Sequence, residues 1–417
     1  MGELLEAGGG GVVGGPVDVA VVGAGPAGAA AALAVLRAAP GARVVLLDRA
    51  SFPRDKACGD GVAPHVQDVL TRLGVPPLLE DHAPVEVLRL EFPGGASAAR
   101  PMPRPARVVP RTVLDARLVA AAQERGAQLV RHRVRRLERD GDLEVLDGDL
   151  RARVVVGADG PRSAVQGALA ARLDGRGLPG VYRPRLPRPV RGGDVAVALR
   201  GYAPVGAGRE REQIIAFEPD AAWPAYAWSF PVGDGRANVG YGELLPADGR
   251  PGPTKARMLE RLEALLPGAG DGGTAWRAAH LPLSPGRARQ PDGAVLLAGD
   301  ALGLVNPLTG EGIHAAVLSG ALAGLAAARA LRRGRPHDAG RSYRLALRST
   351  FGRHHVHLGA VARLAADRRL VAAGLRAGGD RQDVFDGLVE MGLADGTLTR
   401  AVLGGTMVRL RPGLGGV

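Results

Sequence analysis

Near its start the chain alternates between short apolar runs and one segment of helical character. Val17 to Val22 is an uninterrupted apolar run that predicts a buried parallel strand. Small apolar residues from Ala27 to Ala38 predict a helix that ends at Pro40-Gly41. Arg43 to Leu47 predicts a second buried strand. This order of strand, helix and strand indicates an α/β fold of the Rossmann type.

A glycine-rich turn connects the first predicted strand to the helix. Gly23, Gly25 and Gly28 fit the pattern GxGxxG, and Asp48 follows at the end of the second strand. In a dinucleotide-binding unit the glycines permit a tight turn, approach of the backbone to a pyrophosphate and close helix packing, while the acidic residue binds a ribose hydroxyl. Other matches to the pattern in this chain do not lie between a strand and a helix, so context selects this one.

The patterns further along the chain predict four regions. Proline-rich turns and short alternating segments are typical of an antiparallel sheet inserted into the first domain. A strand, a loop and a long helix then restore the α/β pattern, and an arginine-rich helical region follows. We expect a flexible tail at 1–16, an FAD-binding domain at 17–172 and 288–335, a substrate-binding sheet domain at 173–287 and a helical C-terminal region at 336–417.

Charge and cysteine content narrow the functional classes. The net charge is +12 and the pI about 10.9, but the arginines are scattered without interleaved aromatic residues, so we expect no nucleic-acid partner. A single cysteine excludes an internal disulfide framework and is typical of the cytoplasm. We find neither a signal-peptide pattern nor an uninterrupted apolar run of roughly 20 residues. The sequence therefore predicts a cytoplasmic protein, soluble or peripheral at the inner face of the cell membrane.

Two further pairs of glycine and aspartate follow predicted strands. Asp159-Gly160 follows one apolar run, and Gly299-Asp300 follows "AVLLA". With the first glycine turn, this order resembles the flavoprotein superfamily typified by aromatic hydroxylases, in which GxGxxG, DG and GD motifs hold FAD. The resemblance implies FAD as the cofactor, with Asp159 near the pyrophosphate and Asp300 bound to hydroxyls of the ribityl chain.

The segment "PLTGEG" lies before a second predicted helix N-terminus. Its backbone N–H groups can face the pyrimidine carbonyl of the flavin and stabilise the charge that develops on reduction. We therefore count Pro307, Gly310 and Gly312 as cofactor-binding. Arg49 joins this set, as does Arg111, which matches an arginine that contacts the cofactor in related flavoproteins.

The segment "YAWSFPVGDGRANVGYG" resembles the characteristic motif of the geranylgeranyl reductase family, which is YxWxFP followed by GxG. Alternation along a strand places Tyr226, Trp228 and Phe230 on one face, where they can form the wall of an apolar pocket. The resemblance implies a substrate-binding role for Trp228, Phe230, Gly240 and Gly242.

The loop "RDKACGDG" contains the single cysteine, Cys58, and matches the RxKxCG loop of that family, which approaches the flavin from the substrate side. The implied reaction is saturation of isolated C=C bonds in a prenyl chain by reduced flavin. An unactivated alkene needs a proton as well as a hydride, and the candidate donors are Cys58, Tyr226 and Tyr241. Cys58 can alternatively be a small packing residue beside the flavin.

The resemblance also implies the reaction partners. The substrate is a prenyl lipid or quinone, such as a geranylgeranyl lipid or the menaquinone side chain, and the flavin is reduced by NADPH or another reductant, including a reduced electron-donor protein. The alternative is an FAD-dependent monooxygenase or halogenase of secondary metabolism. Hydroxylases usually show GxGxN where this chain has "GEGIH", and tryptophan halogenases show WxWxIP where it has "YAWSFP".

The C-terminal region contains a histidine cluster and an arginine-rich segment. The cluster "HHVH" at His354 to His357 has no cysteine or carboxylate nearby in sequence, so we expect no metal site there. Arg341 to Gly378 carries eight arginines and one acidic residue, Asp367. This segment predicts either a solvated helix face or contact with an anionic membrane.

Overall fold

The protein is described from a computed structural model. The described residues are 15–174, 195–222, 224–248, 250–283 and 290–410. The predicted flexible tail lies almost wholly outside them, as does the predicted boundary at 287/288.

The strands are numbered in chain order. They are β1 (Val17–Val22), β2 (Val44–Asp48), β3 (Gly61–Val62), β4 (Pro84–Phe92), β5 (Ala96–Val108), β6 (Gln128–Arg131), β7 (Leu137–Asp140), β8 (Leu143–Leu146), β9 (Leu150–Gly157), β10 (Val195–Pro204), β11 (Glu212–Phe217), β12 (Tyr226–Pro231), β13 (Arg236–Leu244), β14 (Thr274–Pro282) and β15 (Val295–Leu297).

The α-helices are numbered in the same way. They are α1 (Pro26–Ala38), α2 (Pro64–Arg72), α3 (Arg111–Glu124), α4 (Ala164–Asp174), α5 (Lys255–Leu265), α6 (Ile313–Arg332), α7 (Ala339–Leu364), α8 (Arg368–Asp380), α9 (Gln382–Leu393) and α10 (Arg400–Leu410). Short 3₁₀ helices occupy Gly299–Leu302 and Pro336–Asp338.

The first sheet is the nucleotide-binding sheet. Its parallel core has the strand order β6-β2-β1-β9, with β15 beside the C-terminal half of β9 and the antiparallel hairpin β7-β8 beside the N-terminal half. Every residue of β2 is buried, as expected for a parallel strand with both faces covered. The predicted Rossmann-like α/β class is therefore confirmed.

Helices α1 and α6 pack against each other through small residues. A Cβ atom at Gly320 would lie 2.0 Å from the Ala27 carbonyl oxygen, and one at Gly324 would lie 2.2 Å from the Ala31 carbonyl oxygen. By length and composition α6 could cross a membrane, but 78% of its apolar window is buried inside the protein. Helix α6 is thus a core helix that holds the loop before it against the glycine turn.

The second sheet contains eight strands in the order β14-β10-β13-β12-β11-β4-β5-β3. All its strand pairs are antiparallel except β11 and β4, which run parallel. Residues 61–108, assigned by sequence to the first domain, supply three of these strands. The sheet therefore contains strands that precede β9 in the chain and strands that follow it, because β4 pairs with β11 across more than one hundred residues of chain.

The helical C-terminal region covers part of this second sheet. Leu375 on α8 and Phe385 on α9 are buried against Leu88 and Ala98 of the sheet. A Cβ atom at Gly379 would lie 2.7 Å from the Ser97 carbonyl oxygen, so helix and strand approach closely. These helices close the side of the sheet that faces the functional cavity.

Candidate functional site

A cavity of about 1210 Å³ lies where the two sheets meet. It joins the glycine turn after β1 to the aromatic strand β12. Most predicted site residues line it: Gly23, Gly25, Asp48, Arg49, Cys58, Arg111, Asp159, Gly160, Tyr226, Trp228, Phe230, Gly242, Asp300, Gly310 and Gly312. Gly28, Tyr241, Gly240, Gly299 and Pro307 are not among the lining residues.

The glycine turn fits tightly between β1, α1 and β9. Gly23 has φ +96°, and a Cβ atom there would lie 2.3 Å from the Ala158 carbonyl oxygen. A Cβ atom at Gly28 would lie 1.8 Å from the Gly23 carbonyl oxygen. Gly25 is the N-cap of α1 and no side chain caps this helix, so its first N–H groups are available to an anion.

Asp48 closes the neighbouring loop at the end of β2. One carboxylate oxygen accepts from Ala24 N at 2.9 Å and the other accepts from Ala50 N at 2.9 Å. Asp48 is largely buried, and both it and Arg49 face the cavity. Each carboxylate oxygen retains a lone pair that can accept from a ribose hydroxyl.

A buried arginine pair lies on the other side of the turn. Arg111 donates to Asp115 at 2.6 Å, and Arg54 Nη2 lies 3.0 Å from the same carboxylate. Arg54 Nε is buried without a hydrogen-bond partner among the described residues. The pair therefore presents positive charge to the cavity close to Gly25.

Asp159 caps α4 at the cavity edge. It accepts from Ser163 Oγ at 2.5 Å and from Ala164 N at 2.7 Å, and burial raises its pKa. Gly160, which follows it, has φ +82° and leaves this edge open, since no atom lies within 4 Å of its Cβ position. Arg162 also lines the cavity here.

The GD motif lies at the opposite edge. Gly299 has φ +59° and donates to Ser319 Oγ at 2.9 Å, and Asp300 Oδ2 accepts from Lys56 Nζ at 3.1 Å. In the loop before α6, Gly310 has φ +68°, and burial raises the pKa of Glu311 to about 7. This loop therefore places a weakly acidic carboxyl on the cavity wall.

The aromatic strand β12 forms the apolar wall. Tyr226, Trp228 and Phe230 all line the cavity, as strand alternation predicts. Trp228 pairs with Gly240 on β13, and a Cβ atom at Gly240 would lie 2.3 Å from the indole ring. Gly240 thus makes room for Trp228 rather than lining the cavity itself.

Tyr241 lies on the other face of the same sheet. It is buried among residues that pack on α5, such as Leu262, and its hydroxyl donates to Glu243 at 2.8 Å. Its position follows from alternation, because its neighbour Gly242 faces the cavity. The structure does not bring Tyr241 together with Cys58 and Tyr226.

Cys58 lies half-buried in a loop that packs against the aromatic wall. Asp60 N donates to Cys58 Sγ at 3.3 Å, and Asn238 Nδ2 donates to the Cys58 carbonyl oxygen at 2.9 Å. Burial, followed by the nearby Asp60 charge, raises the pKa of the Cys58 thiol. Cys58 is therefore a protonated thiol at neutral pH.

The sequence analysis missed a buried polar network beneath this loop. Asp60 is fully buried, has φ +59°, and accepts from Asn238 Nδ2 at 2.8 Å and from the Tyr202 hydroxyl. Asn238 also accepts from Trp228 Nε1 at 2.9 Å, so the network ties the loop to the aromatic wall. Its signal was an aspartate between two glycines, directly after the cysteine motif.

The histidine cluster on α7 shows no ligand geometry. Among the described residues, no group of three or more His, Cys, Asp or Glu side chains could hold a metal ion. His354 instead bonds to the Gly396 carbonyl oxygen at 2.6 Å, and His355 stacks on Phe351.

The cavity fits an FAD molecule by its donors and acceptors. The uncapped N-terminus of α1 and Arg54 Nε, which makes no hydrogen bond within the described residues, suit a pyrophosphate, while Asp48 and Asp300 suit ribose and ribityl hydroxyls. The residues of the cofactor site thus match the chemistry of the group that the motifs imply.

Comparison with known proteins supports FAD binding. Residues 16–181 match the family described as FAD binding domain. A menaquinone reductase of Mycolicibacterium smegmatis is 36% identical over 330 residues, which cover 73% of this chain and 75% of the relative. A digeranylgeranylglycerophospholipid reductase of Methanopyrus kandleri is 33% identical over 329 residues, covering 75% of this chain and 77% of the relative.

A solved structure shows the same fold. The geranylgeranyl bacteriochlorophyll reductase-like protein of Thermoplasma acidophilum superposes with a TM-score of 0.69 at 20% identity, covering 94% of this chain and 95% of that one. The extent of the matches, together with the cofactor cavity and the aromatic wall, confirms the resemblance seen in the motifs. The chain belongs to the geranylgeranyl reductase family of FAD-dependent oxidoreductases.

Proposed function

We propose that this protein saturates C=C bonds in the prenyl chain of an isoprenoid lipid or quinone, namely a geranylgeranyl lipid or the side chain of menaquinone. The observation that carries the proposal is the single cavity that joins the glycine turn to the aromatic wall of β12. Relatives named as reductases of menaquinone and of digeranylgeranylglycerophospholipids support this substrate class.

The cavity suits a cofactor and an apolar chain together. Pockets for a single small ligand are commonly about 300–1,000 Å³, and this one is larger. Trp228 and Phe230 offer apolar area on the side away from the glycine turn, and Ile215 and Leu281 also line the cavity. We assign these residues to the prenyl chain and the predicted motif residues to the cofactor.

The chain's own residues set the conditions of the reaction. When bound, reduced FAD supplies a hydride. The aromatic wall excludes water from the alkene, and the Cys58 loop packs against this wall, since a Cβ position at Gly59 lies 3.4 Å from the Phe230 ring. Gly310 and Gly312 line the cavity at the N-terminus of α6, where the positive end of the helix dipole favours negative charge.

The three predicted proton donors differ in their positions. Tyr241 lies outside the cavity lining. The Tyr226 hydroxyl donates to the Thr309 carbonyl oxygen, and burial, then Cys58, raises its pKa. Cys58 is likewise a weaker acid than an ordinary thiol, so we assign it to the cavity wall beside the flavin.

Each saturated bond consumes two electrons, so the proposal includes an external reductant. This is NADPH or a reduced electron-donor protein. Anaerobic mixing of the oxidised flavoprotein with NADPH tests the first option, because bleaching of the flavin absorbance identifies a direct donor.

We also propose that the protein contacts the membrane peripherally through its C-terminal helices. Six of the seven exposed large hydrophobic residues in the described chain lie on α7 and α10. Exposed arginines such as Arg348 and Arg353 accompany them on α7. Apolar side chains beside cations suit an anionic lipid surface, where the substrate resides.

Anaerobic turnover tests the proposed reaction. The purified flavoprotein is reduced with dithionite, mixed with menaquinone or geranylgeranyl lipid, and the products are weighed by mass spectrometry. A gain of two hydrogen atoms per bond supports the proposal. No lipid product, together with insertion of one oxygen atom into small aromatic substrates once oxygen is admitted, would replace it with the monooxygenase alternative.

A further inference from the structure

A hydrogen-bonded pair, the buried Asp60 and the half-buried Tyr202, separates the cofactor cavity from a second pocket on the outside of the protein. Asp60 lines the cavity, while Tyr202 lines an outer pocket of about 480 Å³. The Tyr202 hydroxyl donates to Asp60 Oδ2, so one hydrogen bond spans the wall between the two pockets. Side chains such as Arg236, which is 55% exposed, surround the outer pocket and open it to solvent.

Within the described chain, only one of the two Asp60 carboxyl oxygens has hydrogen-bond partners. Its Oδ2 atom accepts from both Tyr202 and Asn238, whereas Oδ1 is buried without a hydrogen-bond partner among the described residues. A buried carboxylate oxygen without a partner is costly, and protonation removes that cost. A left-handed φ at this aspartate adds a constraint that a glycine would satisfy more easily.

Asp60 lies on the substrate side of the cavity. Its neighbours Gly59 and Gly61 lie against the ring of Phe230, and Asn238 links Asp60 to Trp228. The other weak acid of the cavity, Glu311, lies in the loop before α6 and accepts from His314 N at 2.7 Å. The two acids thus lie on different loops of the cavity wall, Asp60 beside Phe230 and Glu311 in the loop that contacts Tyr226.

We infer that Asp60 donates the proton that the substrate alkene requires, and that Tyr202 returns a proton to Asp60 from the water of the outer pocket. This inference rests on the proposed function, because it supplies the second half of a C=C reduction. The hydrogen bonds between Tyr202, Asp60 and Asn238 fix the route.

The Asp60 O–H bond breaks and a C–H bond forms at one alkene carbon, while the other carbon takes the hydride from reduced flavin, which is thereby oxidised. Asp60 remains as a carboxylate. The Tyr202 O–H proton moves to Asp60 as the tyrosine takes a proton from the solvent of the outer pocket in the same concerted step, so that no tyrosinate forms and bulk solvent supplies the net proton.

The charges around Asp60 fit this role. Burial raises its pKa to about 6, against the opposing effects of Tyr202, Arg200, Asn238 and Arg111. Burial and the Asp60 charge raise the pKa of Tyr202. The Asp60 carboxyl therefore stays partly protonated near neutral pH, and the tyrosine remains protonated between transfers. The titratable or charged groups that face Asp60 are Cys58, Arg111, Arg200 and Tyr202.

The test compares Asp60→Asn, Tyr202→Phe, Glu311→Gln and wild type in the FAD-loaded protein. Asparagine keeps the shape and tolerates the left-handed φ. Glu218→Gln is the matched control, because Glu218 is a buried acid of the same sheet domain outside the cavity lining. The readouts are the anaerobic single-turnover rate against pH, the Kd values of FAD and menaquinone, and an infrared titration of carboxyl groups without substrate.

We expect Asp60→Asn to lower the single-turnover rate about 100-fold or more while both Kd values hold. The wild-type rate falls as pH rises above about 6, and this limb disappears in Asp60→Asn. Tyr202→Phe removes a hydrogen bond that favours the carboxylate, so the Asp60 infrared band titrates at higher pH and turnover slows.

Retention of the wild-type rate and pH profile by Asp60→Asn would overturn the inference. A large loss of single-turnover rate in Glu311→Gln alone would overturn it as well. A fall in FAD affinity parallel to the rate would reveal a structural role instead. If wild type saturates no lipid at all, the proposed function fails. In that case the infrared titration still tests whether Asp60 and Tyr202 form a titrating pair. An Asp60 carboxyl band that titrates at the same pH in Tyr202→Phe as in wild type would refute the pairing.

Discussion

Lys56 Nζ donates a hydrogen bond to Asp300 Oδ2 at 3.1 Å, although 244 positions separate the two residues in the chain. This contact joins the cysteine loop after β2 to the GD motif after β15. Both side chains are partly shielded from water, so their charges interact more strongly than a surface pair would. The loop that meets the substrate is therefore anchored to a residue that we assign to the ribityl chain.

Lys56→Met should weaken FAD binding by about 10- to 100-fold, because a charged hydrogen bond to Asp300 is lost. The other lysine of the chain, Lys255, is exposed at the start of α5. Lys255→Met is thus the control and should bind FAD normally. Flavin fluorescence titration of both variants measures the effect, and equal Kd values would show that the Lys56 contact does not support the cofactor.

Gly240→Ala should destabilise the fold by about 1–3 kcal/mol, since its Cβ atom would lie 2.2 Å from the Leu199 carbonyl oxygen and 2.3 Å from the Trp228 ring. Gly242→Ala is the matched comparison, because its Cβ atom would lie 3.3 Å from Ala198. Urea unfolding should therefore give a clearly lower free energy of unfolding for Gly240→Ala than for Gly242→Ala. The reverse order would contradict the packing of Trp228 over Gly240.

Glu311 should make the flavin reduction potential depend on pH. Burial raises the pKa of its carboxyl to about 7, so ionisation near neutral pH places a negative charge on the cavity wall. That charge disfavours reduced flavin, and the potential should fall more steeply as pH rises through about 7. Spectroelectrochemistry should show this bend in wild type and in Glu218→Gln, and a straight line in Glu311→Gln. A bend that survives in Glu311→Gln would place its source elsewhere.

The exposed apolar residues of α10 should support membrane binding. Met407 and Val408 are 57% and 60% exposed, and burial of each side chain in lipid is worth about 1.5–3 kcal/mol. Replacing both with serine should reduce cosedimentation with phosphatidylglycerol vesicles at least tenfold. Leu325→Ser is the control, because Leu325 is exposed on α6, away from this region. An equal loss of cosedimentation in Leu325→Ser would argue against a specific membrane-binding surface on α10.

The motifs assigned to the cofactor could be recognised in the sequence because they are local. The spacing of Gly23, Gly25 and Gly28 with Asp48 describes one continuous strand, turn and helix. Alternation along β12 likewise predicted the shared face of Trp228 and Phe230. Each of these predictions required only backbone periodicity.

The remaining features depend on contacts between distant segments. Residues 61–108 joined the second sheet because β4 pairs with β11, and no local pattern encodes that pairing. Tyr202 and Asn238 meet Asp60 from strands more than one hundred residues away. Tyr241, in contrast, could have been excluded, since alternation places it opposite Gly240 and Gly242.

The most direct test of the account counts electrons against saturated bonds. Reduced, anaerobic flavoprotein is mixed with a measured amount of menaquinone, and flavin reoxidation is followed by absorbance while saturated product is weighed by mass spectrometry. The account predicts one flavin reoxidised for each C=C bond saturated, without oxygen. A flavin that stays reduced until oxygen is admitted, with the prenyl chain unchanged, would contradict it.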